Sequence, residues 1–466
     1  MRNVHIAAAV AVALGAGGSA FAEAPTPTQA MQAAHNVYMA GSSAAVNGVL
    51  SYIEGTVCGS AYSVFTTPTS SVGEPDFRAV SCSPANNQPF SGSTLTVWFR
   101  PEGGSVVGVF PVINNTQIKQ LNMTAAGCTT SAVSSAAVAA YTCTVVGTTP
   151  QNGTDDSFGT GTFAHNVDVG ISDLEPGVFA SLTKGTSKAW AGGGHNDPTA
   201  AYAASFTGPD QGASATQGLT HTTIFEQVFG FIVNTSLPIS DLPKEEIAAI
   251  YDGNVTDWSQ VSTGTSSGRV TSVSTPIIVC NREIGSGTRA STDIFLNGDG
   301  CNPDATFLKS VAGTEIGATT LTYPVDNFAT NLEIACVNNN PNSIGYVSID
   351  NFSKDGTTTA PNVKSITVSG ATASQATGAT GLYSYVFEAS MNLNPQASGD
   401  GQAWYTDLKP KLQAGTTTAT SGQILAIPQT PNTAQIPLQV GNEPTSLFLR
   451  AGFGAGNSCD PLADQL

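Results

Sequence analysis

Arg282-Glu283-Ile284-Gly285-Ser286-Gly287-Thr288 gathers into one short string the donors that a small tetrahedral oxyanion needs. Glycine lets a chain turn tightly between a strand and a helix and brings its backbone close to a ligand. The free amides of a following helix's first turn face whatever lies above them. The hydroxyls of Ser286 and Thr288 add side-chain donors, and the forked guanidinium of Arg282 matches a pair of anionic oxygens. Gly-Ser-Gly-Thr is also ordinary turn material, so its flanks carry the argument. An apolar run, Pro276 to Cys280, precedes the string, and a helix-like stretch, Arg289 to Leu296, follows it.

Three more segments have the same form, a short apolar strand ending in polar residues. Val37-Tyr38-Met39-Ala40 runs into Gly41-Ser42-Ser43 and then a helical pattern through Val46, Val49, Leu50 and Ile53. Leu95 to Phe99 alternates apolar and polar residues and leads to Gly103-Gly104-Ser105. Asn166 to Ser172 ends at Asp173. Open α/β sheets bind ligands at such carboxyl ends of strands, so the pattern predicts α/β lobes with a ligand between them. On a phosphate-sized ligand, Ser43, Ser105, Ser286 and Thr288 donate hydroxyl hydrogen bonds and Arg282 balances charge. Asp173 adds selectivity: an ionised carboxylate only accepts, so it favours a ligand that still carries a proton, as phosphate does near neutral pH and sulfate does not. From local sequence Asp173 could equally cap a helix beginning at Leu174.

The elements that must position these residues are only partly marked. Asp241 to Gly253 is the clearest helix, with Pro243 near its start, Glu245 and Glu246 early, Ile247 and Ile250 on one face and Gly253 as its stop. Residues 23–35 read as a polar leader and 355–380 as a loop or hairpin. The polar stretches 110–163 and 185–220 are too long for simple connections and read as insertions, the first within reach of a Cys128–Cys143 staple.

The chain opens as a secretory signal peptide: Arg2, an apolar run from Ile6 to Ala16, and a small-residue cleavage site at Ala20-Phe21-Ala22. The first cysteine is Cys58, so no lipid anchor is expected near the cleavage site. An exported protein, periplasmic or secreted and not membrane-spanning, follows. The eight cysteines suit an oxidising compartment and read as disulfides whose pairing the sequence leaves open. No two are spaced as metal ligands, so neither a metal nor a cofactor is expected. A net charge of −17 with only 11% charged residues argues against nucleic acid as a partner, yet local dipoles and neutral donors can still hold a dehydrated oxyanion. Enzyme readings are weaker. Gly264-Thr265-Ser266-Ser267-Gly268 matches a nucleophile elbow without the flanking strand and helix, and His165, His195 and His221 belong to no recognisable triad.

Several of these motifs together resemble the periplasmic phosphate-binding proteins of ABC uptake systems. Ala40-Gly41-Ser42-Ser43 is similar to the family's first phosphate loop, and Ile171-Ser172-Asp173 to the segment whose aspartate accepts the phosphate proton. Arg282 keeps its spacing to Ser286-Gly287-Thr288. Asp241 to Gly253 with Asp257-Trp258, and Ile344-Gly345-Tyr346-Val347, resemble a family helix and a returning strand. One departure stands out, since Ile284 occupies the position of the acid that usually follows the arginine by two.

The resemblance implies a type II two-lobed periplasmic-binding-protein fold, here with polar insertions. Ile224 to Val233 would be the outgoing crossover, with residues 23–230 and 356–466 in one lobe and 231–355 in the other. It implies a phosphate site of Ser42, Ser43, Ser105, Asp173, Arg282, Ser286, Gly287 and Thr288, no catalysis, and an ABC transporter permease as partner. The rival expectation is a secreted surface, adhesive or assembly protein that keeps the fold with an idle pocket.

Overall fold

The computed structural model describes residues 23–67, 77–101, 104–135, 137–145, 163–181, 219–262, 268–282, 285–297, 325–327, 330–354, 356 and 360–413, with short strands beyond. The signal-peptide segment, the elbow string at 264–267, His195, Glu283, Ile284, Cys301, Cys459 and most of the 185–220 insertion lie outside these residues.

The architecture is mixed α/β, as expected. Eleven strands matter here: β1 (His35–Gly41), β2 (Tyr62–Thr66), β3 (Arg78–Cys82), β4 (Leu95–Arg100), β5 (Val138–Val145), β6 (Val169–Ser172), β7 (Thr220–Asn234), β8 (Ile278–Arg282), β9 (Val325–Asn327), β10 (Ser343–Ser348) and β11 (Val386–Leu393). They lie in the order β9-β8-β10-β7-β11-β6-β1-β4-β3-β2-β5. On one side β6, β1 and β4 run parallel; on the other β9, β8 and β10 do. The long strand β7 joins the two, pairing antiparallel with β11 through Thr220–Val228 and with β10 through Phe229–Val233. The segment expected as a crossover, Ile224 to Val233, is therefore part of a strand shared by both halves.

Helices cover the sheet: α1 (Val46–Tyr52), α2 (Lys244–Tyr251), α3 (Gly287–Asn297), α4 (Thr330–Asn339) and α5 (Gly399–Gln413). Val46, Val49 and Leu50 of α1 and Trp404, Leu408 and Leu412 of α5 share a buried cluster with Val37, Met39 and Phe99 of the sheet. The other half is centred on Phe231, Tyr251, Trp258, Phe295, Tyr346 and Tyr385. Tyr385 stacks on Phe295 at 4.6 Å between ring centroids, which fixes α3 against the sheet.

Tertiary pairing shifts several local expectations. Residues 23–35 contain a helix, Pro27–Met31, closed by a Thr26/Gln29 capping box. The helix read over 241–253 begins at Lys244, because Asp241–Leu242 pairs with Thr367–Val368 instead. Within the expected 355–380 loop, Val363–Ser365 pairs with β7, and Ser374 caps a short helix, Gln375–Ala379. Strand β8 extends to Arg282 because Cys280–Arg282 pairs with Val325–Asn327. Cys58–Cys82, Cys128–Cys143 and Cys280–Cys336 form disulfides, the second stapling the hairpin of the first insertion.

Candidate functional site

All four strand ends singled out in the sequence meet between the two halves of the sheet. The parallel strands β1, β4 and β6 finish on the same side and deliver Ser42 and Ser43, Ser105, and Asp173. From the other half β8 delivers Arg282, and α3 begins at Gly287, so Gly287 and Thr288 occupy its first turn. Ser42, Ser43, Ser105, Asp173, Arg282, Ser286 and Thr288 are all buried.

Asp173 is the hub. Its Oδ1 accepts from the Ser42 hydroxyl, and its Oδ2 accepts from Ser105 Oγ at 3.2 Å and Thr288 Oγ1 at 3.3 Å. It does not cap a helix: Leu174 N donates to Ser172 Oγ at 3.2 Å, leaving the Asp173 carboxylate for the cleft. Burial pushes its carboxyl above the ordinary range, while the Ser42 hydroxyl, the Arg282 guanidinium and the Ser105 and Thr288 hydroxyls pull it back down. Ser42 is spent locally, since its amide donates to Ile171 O at 2.9 Å and its Oγ accepts from Ala45 N at 2.8 Å. Ser105 Oγ also accepts from Asp173 N at 2.9 Å, so this serine and the aspartate hold each other in place.

The halves touch closely where glycines allow it. Val106 N donates to Gly285 O at 3.0 Å. A Cβ at Gly104 would stand 3.0 Å from Ser286 Cα, and one at Gly287 would collide with Ser105 Oγ and lie 2.8 Å from Asp173 Oδ2. Ser286 turns inward to α3, its Oγ accepting from Arg289 N at 3.4 Å.

Arg282 is held from three directions. Nε donates to Asn327 O at 3.0 Å, Nη1 to Thr330 Oγ1 at 3.1 Å, and Nη2 to Ser43 Oγ at 3.3 Å. Behind it, Arg289 Nη1 donates to Arg282 O at 2.9 Å, and Asn327 Nδ2 donates to Glu333 Oε2 at 2.8 Å. Arg282 N donates to the Tyr346 hydroxyl at 2.9 Å, which in turn donates to Asn281 Oδ1. Burial, followed by the Glu333 charge, raises Tyr346 well above the ordinary phenol range, so it serves as a neutral donor. The acid missing at position 284 is thus matched by other anchors on Arg282.

Sequence reading missed Asn327 and Thr330, which no local signal marked, and placed Tyr346 in a returning strand without a role at the site. Val325-Asp326-Asn327 is too polar to read as a strand, and Thr330 stands 287 residues from its Ser43 partner. Among the described residues no group of histidine, cysteine or acidic side chains could hold a metal ion. Of the weighed histidines, His165 stacks on Tyr38 at 4.0 Å and His221 lies in β7, both apart from this cleft.

The model of the PBP superfamily domain matches residues 177–408, taking in Arg282 to Thr288 and Thr330 but starting just after Asp173. No curated protein matches the chain. Among solved structures, an ABC-type phosphate transport receptor from Vibrio cholerae is 16% identical, covering 55% of this chain and 79% of its own at a TM-score of 0.33. A putative phosphate ABC transporter substrate-binding protein from Clostridium perfringens is 21% identical, covering 45% and 74% at 0.32. PstS from Borrelia burgdorferi is 14% identical, covering 85% and 100% at 0.34. The family match and the motif resemblance point the same way, residues 177–408 matching the PBP superfamily domain.

Proposed function

We propose that this protein binds inorganic phosphate between its two lobes, performs no chemistry on it, and delivers it to an ABC transporter. The observation that carries this reading is a buried carboxylate, Asp173, ringed by three hydroxyl donors from both halves of the sheet and placed within the influence of Arg282. A protonated ligand oxygen donates to Asp173. The Ser105 and Thr288 hydroxyls, which here donate to that carboxylate, then turn to the ligand's other oxygens. Arg282 supplies the positive charge, so the ligand is an anion that still carries a proton. Sulfate offers the charge without the proton and leaves Asp173 facing an acceptor, an arrangement that costs the desolvation of both groups.

The site residues are Ser42, Ser43, Ser105, Asp173, Arg282, Ser286, Gly287 and Thr288. Ser42 acts through Asp173 and the start of α1, while Ser286 acts through the start of α3. The two-lobe division also belongs to this reading. Residues 231–355 form the core of the second lobe, and the pairing of Val363–Ser365 with β7 and the packing of Tyr385 on Phe295 extend it toward residue 385. Export to the periplasm rests on the signal-like start of the sequence. Among the described residues no helix is long and apolar enough to cross a membrane. Equilibrium dialysis against radiolabelled phosphate, with sulfate as competitor, tests the reading. Phosphate retained at one per chain and undisturbed by excess sulfate is expected; no retention by folded protein would end it.

A further inference from the structure

Thr330 begins α4 and is 7% exposed. Its Oγ1 stands 3.0 Å from Ser43 Oγ and accepts from Arg282 Nη1 at 3.1 Å, while Ser43 Oγ accepts from Arg282 Nη2 at 3.3 Å. The two terminal nitrogens of the guanidinium thus each meet a hydroxyl oxygen, one from either half of the sheet. A guanidinium fork matches two oxygens of one anion, and here the Ser43–Thr330 pair takes that place.

Counting protons shows what the pair keeps in reserve. Each hydroxyl carries one proton and two acceptor sites, and each accepts from Arg282. One of the two donates to the other across 3.0 Å. Among the described residues nothing accepts the second proton, whichever way the shared bond points. We infer that Thr330 is a ligand-contacting residue, interchangeable with Ser43, and that the two hydroxyls form one redundant donor to an oxygen of a phosphate-type oxyanion. This inference rests on the phosphate reading above.

Redundancy gives a distinctive signature. Removing the Ser43 hydroxyl frees the Thr330 proton for the ligand, and removing the Thr330 hydroxyl frees that of Ser43. Only removing both leaves the oxygen without this donor. A hydrogen bond to a charged group corresponds to about tenfold or more in affinity.

The test is titration calorimetry of the full chain with inorganic phosphate on wild type, Ser43→Ala, Thr330→Val and the double variant. Thr330→Ser keeps the hydroxyl without the methyl and separates donor loss from repacking. Each single variant is expected within about threefold of wild type and the double variant more than about tenfold weaker, with Thr330→Ser like wild type. The inference is overturned if Thr330→Val changes nothing and Ser43→Ala alone accounts for the double variant, or if, in the Ser43→Ala background, Thr330→Ser weakens binding as much as Thr330→Val. Absence of phosphate binding in the wild type would overturn this inference and the phosphate reading together; binding with an additive cycle would overturn this one alone.

Discussion

Replacing Asp173 by asparagine probes the chemistry of selectivity most sharply. The amide keeps the shape and one acceptor oxygen but loses the charge and presents an NH2 group toward the cleft. In the wild type the carboxylate has three hydroxyl donors, two of them at 3.2 and 3.3 Å, and is fully buried. A charge-assisted hydrogen bond from a protonated phosphate oxygen contributes about 1.5–3 kcal/mol net, so Asp173→Asn should weaken phosphate about 10- to 100-fold. Sulfate, which meets a donor in place of an acceptor, should bind the variant better than the wild type. Calorimetric titrations with both anions check this.

The same substitution makes a pH prediction of fixed sign. Burial raises the Asp173 carboxyl above its unfolded value near 3.8, so folding without ligand takes up a proton there. The stability tied to the protonated form is fully present below the unfolded value and is lost as pH rises through the folded one. Melting temperatures measured without ligand should therefore favour Asp173→Asn over wild type increasingly from pH 4 to pH 8. By the same logic, acidification should let wild type accept sulfate, because a protonated Asp173 becomes a donor. Unchanged phosphate affinity and continued sulfate rejection in Asp173→Asn, or a melting difference that does not move with pH, would refute the reasoning.

Three further outcomes follow from the same contacts. Gly287→Ala should cost about 1–3 kcal/mol in phosphate binding, because its Cβ would drive Ser105 and Asp173 away from α3; calorimetry against a wild-type melting profile separates this from unfolding. Asn47 links the halves away from the anion site, donating to Asp350 Oδ2 at 2.6 Å and accepting from Arg78 Nη1 at 2.9 Å. Asn47→Ala should weaken phosphate by about 0.5–1.5 kcal/mol without altering the phosphate-over-sulfate ratio. Trp404→Ala, which empties a fully buried position against Met39, should destabilise the protein by about 3–5 kcal/mol in chemical denaturation while leaving affinity in the folded fraction unchanged.

What the sequence disclosed followed from repetition. Ser43, Ser105 and Asp173 each follow an apolar strand, and the parallel strands β1, β4 and β6 bring those ends together, so local pattern was enough to group them, whereas Arg282 ends β8 in the other half of the sheet. The strand bounds were less legible. Arg282 looks like the first turn residue from sequence, yet pairing with Val325–Asn327 keeps it in β8. Asp168, two residues before Gly170, was indistinguishable from a strand residue. Its carboxylate instead accepts from Tyr38 N at 3.1 Å and Ser398 N at 2.9 Å, tying β1 to the start of α5. The anchors on Arg282 were invisible for a different reason. Asn327 offers it a backbone carbonyl, which any residue could supply, and Thr330 and Tyr346 reach it only through the folded sheet. The same holds for 355–380, where Thr, Ser and Ala richness suggested a loop or hairpin although Val363–Ser365 pairs with β7.

The central claim is that one phosphate sits between Arg282 and Asp173, and a crystal structure of the protein grown with phosphate tests it most directly. The account predicts a tetrahedral anion in contact with the Arg282 guanidinium, the Asp173 carboxylate, the Ser105 and Thr288 hydroxyls and the Ser43–Thr330 pair. An anion bound elsewhere, or a cleft in which the Arg282 guanidinium makes no contact with the anion at saturating phosphate, would contradict it.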